Sequence, residues 1–171
     1  MKASPKKSQS LLAAATFVGL LSAGIPSVAN AGPSVFDLPA GLACAGFDLR
    51  IEITASTQRV NRDFYDRSGN IVRTLSAGKG DALTFVNLAT GAMLSLRPNG
   101  AVTRVVLNAD GTQTYTSTGH NVLILFPSDV PAGPSTTLYV GRIAFTVDPS
   151  GVFTLQSTSG KSMDICAALS S

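Results

Sequence analysis

The stretch from Ala82 to Phe126 constrains this chain most. It reads ALTFVNL, ATG, AMLSLR, PNG, AVTRVVLN, ADG, TQTYTS, TGH, NVLILF: short apolar runs separated by turns. No helix fits between them. The runs are about 5–8 residues long, rich in β-branched residues, Leu and aromatics, and recur at the spacing of all-β sandwiches and barrels. The chain therefore reads as an antiparallel meander.

Four tetrapeptides share one turn grammar: Asp66-Arg67-Ser68-Gly69, Arg97-Pro98-Asn99-Gly100, Asn108-Ala109-Asp110-Gly111 and Asp148-Pro149-Ser150-Gly151. A polar residue in first place, Pro allowed second, Ser, Asn or Asp third and Gly fourth fits a type I turn closed by a left-handed residue, which joins antiparallel neighbours. Each is expected to close a hairpin, with Gly69, Gly100, Gly111 and Gly151 at positive φ. None has the carboxylate spacing of an EF-hand calcium loop, so no metal is expected.

Met1 to Ala31 reads as a secretory signal. Lys2, Lys6 and Lys7 give a positive start, Leu11 to Leu21 an apolar run too short to span a bilayer, and Ala29-Asn30-Ala31 a small-residue cleavage site before Gly32. The exported protein is expected to begin at Gly32 and to be soluble and extracellular. Three of the thirteen basic residues fall in the signal, which leaves ten basic groups against ten acidic ones. That balance gives no net-charge case for nucleic acid or an anionic membrane, and no second apolar segment is long enough for a span.

The remaining residues suit one domain: an extended arm over 32–46, rich in Pro and Gly, and a β domain over 47–171. Cys44 and Cys166, the only cysteines, lie near its two ends; in an exported chain the pair reads as a disulfide. Phe47 to Thr54 alternates apolar and charged residues, so its charges form a solvated face. Further strands are predicted over Gln58 to Tyr65, Asn70 to Ala77, Thr136 to Val147 and Val152 to Thr158. Thr136 to Val147 carries large apolar residues at both parities, so both its faces must be covered. Ser159-Gly160 reads as a turn, and DICAAL as one or two helical turns. The fold expected is a single up-and-down barrel of about ten antiparallel strands, because closure removes exposed edges; the alternative is a two-sheet β-sandwich.

No constellation names a reaction. His120, the only histidine, sits beside Gly119 in an expected turn, with Asp129 close in sequence. No Gly-x-Ser-x-Gly elbow supplies a nucleophile for a Ser/His/Asp site. Glu52 is the only glutamate, and there is no Trp to stack sugars. The 127–135 segment, with three prolines, is read as a stiff connection. No catalytic residue, cofactor or metal ligand is assigned.

The segments PAGLACAGFDLRIEI, FYDRSGNIVR, NLATG and DICAAL resemble a family of secreted, β-rich proteins of actinobacterial type with no assigned activity. The resemblance implies export and a β fold and supplies no catalytic residue. The function expected is an extracellular binding module for a small apolar ligand or a protein partner. The alternatives are a structural or envelope-associated protein with a filled interior and, third, a hydrolase.

Overall fold

A computed structural model of the chain describes residues 32–171; the expected signal, with Ala31 at its junction, lies outside the described residues. The strands form two antiparallel sheets, and neither closes on itself. One sheet has four strands: β1 (Ser34–Leu38), β2 (Leu49–Thr54), β5 (Ala82–Asn87) and β6 (Met93–Leu96), in the order β1-β2-β5-β6. The other has six: β3 (Arg59–Tyr65), β4 (Ile71–Lys79), β7 (Gly100–Leu107), β8 (Gln113–Leu125), β9 (Ser135–Val147) and β10 (Phe153–Asp164), in the order β10-β9-β8-β7-β4-β3. The expected barrel is thus replaced by an open arrangement closer to the two-sheet alternative.

The reason lies in three connections that leave one sheet and enter the other. They run from β2 to β3, from β4 to β5 and from β6 to β7, and they are tied to one another: Ser56 N–H donates to Asp81 Oδ1 at 2.8 Å, and Gly80 N–H to the Asn99 carbonyl at 2.9 Å. Arg97-Pro98-Asn99-Gly100 is one of these crossings and not a hairpin. Gly100 is the first residue of β7 and is not among the glycines at positive φ.

Two other expected turns are strand interior. β8 runs unbroken through Gly119 and His120, and β10 through Ser159 and Gly160. The register puts Gly78 opposite Ala101, Ala101 opposite Gly119, Gly119 opposite Gly141 and Gly141 opposite Gly160, so a line almost without side chains crosses the sheet. Gly119 has φ 98° and Gly141 φ 148°. A Cβ at Gly119 would be driven into the Gly100 carbonyl oxygen, and one at Gly141 into that of Ser159. Only glycine permits this approach.

The tetrapeptides at Gly69, Gly111 and Gly151 do close hairpins, with φ of 84°, 84° and 88°. Their aspartates organise them. Asp66 Oδ1 accepts from the Ser68 and Asn70 N–H groups, Asp110 Oδ1 from the Thr112 N–H and hydroxyl, and Asp148 Oδ1 from the Ser150 and Val152 N–H groups. These bonds favour the ionised form and hold all three carboxyls below their ordinary value of 3.8, led by Asn70, Thr112 and Ser150 respectively. A depressed folded pKa gives stability that is present above the ordinary value and lost as pH falls through the folded one. Melting temperature is therefore expected to be level above about pH 5 and to fall progressively below about pH 4. Melts between those values and strong acid check this, and a temperature unchanged on acidification contradicts it.

Two clusters hold the sheets. The first joins Leu49, Ile51 and Phe85 of the four-stranded sheet to Ile124 of β8, with Ala43, Cys44, Ile165 and Leu169 closing one end. The second lies within the six-stranded sheet, where Tyr115 stacks on Phe145 with centroids 4.8 Å apart and Phe145 on Phe153 at 5.6 Å. β9 serves both, with Leu138 packed on the first and Tyr139 on the second, which is why both its faces are apolar. The short helix α1 (Ile165–Ala168), capped by the Asp164 side chain, carries Cys166 to a disulfide with Cys44, Cα atoms 5.6 Å apart. Asn87 Nδ2 donates to the Leu169 carbonyl at 3.1 Å and Thr136 Oγ1 to that of Ala43 at 3.0 Å, so both ends of the domain are fastened to the sheets.

Candidate functional site

Beside the first cluster, a cavity of about 560 Å³ is lined by residues of both sheets. One wall is apolar, from Ile51, Ile53, Leu83, Phe85 and Leu96. The facing wall, from the six-stranded sheet, carries a polar ladder among apolar residues that include Ile71, Val105 and Leu107. Asn61 pairs with Ser76, Ser76 with Thr103 and Thr103 with Ser117, so four neighbouring strands place small hydrogen-bonding side chains in one row, all lining the cavity. With strands about 4.8 Å apart the row spans roughly 14 Å. Thr103 and Ser117 share a hydrogen bond at 2.8 Å.

The glycine line forms one border of this wall and changes which residues face inward. On one side of it the lining comes from Tyr115, Ser117 and Ile143, on the other from Val122, Ile124 and Leu138. The inward parity of β8 and β9 thus reverses across Gly119 and Gly141. Tyr115 and Ile143 also belong to the second cluster, which backs the cavity. Burial pushes the Tyr115 phenol up from its ordinary value, and its hydroxyl donates to Gln113 Oε1.

The rim is charged. Arg59 and Asp81 form a loose ion pair at 3.9 Å, and Arg97 and His120 also line the space. Asn121 lies beside them: its Nδ2 is buried and, among the described residues, is the one buried side-chain polar atom without a hydrogen-bond partner. An orphaned buried amide costs on the order of 1–3 kcal/mol.

His120 is therefore a strand residue at the cavity rim, not a turn residue. Asp129 lies elsewhere, 4% exposed, where Oδ2 accepts from the Phe126 N–H at 2.6 Å and Oδ1 from the Phe153 N–H at 2.9 Å. It pins the 127–135 connection to β10 and makes no bond to His120. Among the described residues no group of three His, Cys, Asp or Glu is placed to hold a metal, and no helix is long and apolar enough to cross a membrane. The ladder is not legible in the sequence, because a single Asn, Ser or Thr on each of four strands has the look of a wet face until the register aligns them.

The chain matches no protein-family model, no curated protein and no solved structure.

Proposed function

We propose that the protein is an extracellular binding module that holds a small amphipathic molecule between its sheets, the sheets acting as the halves of a β-sandwich kept apart along the cavity. The observation that carries this reading is the pairing of an apolar wall with a polar ladder across a space of about 560 Å³, a volume in the range of ligand pockets. The ligand is largely apolar on one face and bears a row of hydrogen-bonding groups along the other. Apolar burial supplies affinity, and the ladder sets orientation. A disulfide and the lack of a membrane-length helix among the described residues fit an extracellular protein. The structural alternative calls for a filled interior, and the space between the sheets favours binding over it.

Ser76, at the centre of the ladder, provides the test. Titration with N-phenyl-1-naphthylamine, an apolar dye that brightens in dry sites, is expected to show saturable one-site binding. Ser76→Phe, which fills the cavity with a ring, is expected to weaken it at least about tenfold, a loss of about 1.4 kcal/mol, while the variant melts within a few degrees of the parent. Absence of saturable binding, or equal affinity in the variant, contradicts the reading.

A further inference from the structure

The outer face of the six-stranded sheet carries a second feature. Alternation along β3 sends Arg59, Asn61 and Asp63 to the cavity and Val60, Arg62 and Phe64 outward, and the register carries the same division across the sheet. One outward row runs Val60, Ala77, Val102, Thr118, Arg142, and the next Arg62, Leu75, Arg104, Thr116, Ala144. Arg73, opposite Phe64, and Lys79, at the end of β4, share this face.

Arg62, Arg73, Lys79, Arg104 and Arg142 make five of the ten basic residues after Ala31, and no carboxylate stands in these rows. Ion pairs among the described residues involve only Arg50 with Asp37 and Arg59 with Asp81, so none of the five is neutralised. The balanced net charge conceals this segregation. Five like charges on one face repel one another, and the arrangement complements a partner that is negative along its length.

We propose that this face docks an anionic polysaccharide. The Arg62 and Arg73 guanidinium groups lie over the Phe64 ring, 5.2 and 3.7 Å from its centroid, which holds them in place and leaves their N–H forks for carboxylate or phosphate. Arg62 and Arg104 are separated by two strand spacings, about 10 Å, and between Arg104 and Arg142 stand the hydroxyls of Thr116 and Thr118. Fixed cations interleaved with hydroxyl groups suit an acidic sugar chain. The two rows hold no aromatic ring, and Phe64 beside them is already covered by arginine, so no platform is left for stacking bases; the exposed apolar side chains of the rows are short valines, Val60 and Val102, which gives little to insert into a bilayer.

The test measures affinity for polygalacturonate, with neutral dextran, phosphatidylglycerol vesicles and duplex DNA as comparisons. The parent is expected to bind polygalacturonate and not dextran, and to bind more weakly as salt rises from about 50 to about 200 mM. The Arg62→Gln/Arg73→Gln/Arg104→Gln variant is expected to lose about tenfold or more in affinity with an unchanged melting temperature, and Arg50→Gln on the other sheet to bind as the parent does. If the triple variant fails to fold, Arg104→Gln alone is expected to weaken binding about threefold. No binding to polygalacturonate at low salt, undiminished affinity in the arginine variants, or tighter binding to vesicles or DNA overturns the proposal.

Discussion

Gly119→Ala and Gly141→Ala are each expected to destabilise the protein by roughly 2–5 kcal/mol, enough at the upper end to leave a domain of ordinary stability marginal or unfolded. Two effects add. An L-residue at these φ values costs about 1–2 kcal/mol, and the new methyl group is driven into a neighbouring strand's carbonyl oxygen, so the strands must move apart at a further cost of about 1–3 kcal/mol. Gly69 shares the positive φ, at 84°, but a Cβ there meets nothing within 4 Å, so Gly69→Ala should cost about 1 kcal/mol. Gly100 has neither constraint, so Gly100→Ala should fall within about 0.5 kcal/mol of the parent. Urea melts of the four variants give the ranking. Equal losses at Gly119 and Gly100 would show that the strands do not cross this line as described.

Removing the disulfide is expected to have an effect of comparable size. Cys44 and Cys166 are 122 residues apart, so the bond closes nearly the whole domain, and in the chain-entropy account such a loop is worth about 4–5 kcal/mol. The double Cys→Ala variant should lose about that much, because the segments the bond joins, with Ala43, Ile165 and Leu169 almost fully buried, close one end of the first cluster. The Asn87 and Thr136 bonds to the Leu169 and Ala43 carbonyls remain and would keep the folded geometry recognisable. Intact mass of the oxidised protein should be lower than that of the reduced chain by two hydrogens, with both cysteines unreactive to alkylation until reductant is added. Free thiols in the native protein contradict the bond.

Strand runs were legible in the sequence because alternation and turn grammar are local. Leu49, Ile51 and their wet neighbours Arg50 and Glu52 lie as the pattern of β2 predicts, and Gly69, Gly111 and Gly151 close the hairpins read from their tetrapeptides. Sheet membership was not legible. Arg97-Pro98-Asn99-Gly100 has the composition of a hairpin turn and serves as a crossing, and nothing local distinguishes the two. Gly119 and Gly160 have the local look of turns for a related reason: glycine marks both chain reversal and close strand approach, and only the opposing Gly141 decides between them. The cavity depends on register across four strands, so Asn61, Ser76, Thr103 and Ser117 looked like unrelated polar residues. His120 and Asp129, adjacent enough in sequence to suggest a pair, are separated because β8 continues straight past Gly119 and the carboxylate is taken up by two backbone N–H groups.

That the space between the sheets is a ligand site is tested most directly by native mass spectrometry of the disulfide-bonded protein. The expected spectrum shows one small molecule bound per chain, retained on gentle activation, released by organic extraction and absent from Ser76→Phe. A spectrum of bare protein, unchanged after incubation with N-phenyl-1-naphthylamine, would contradict it.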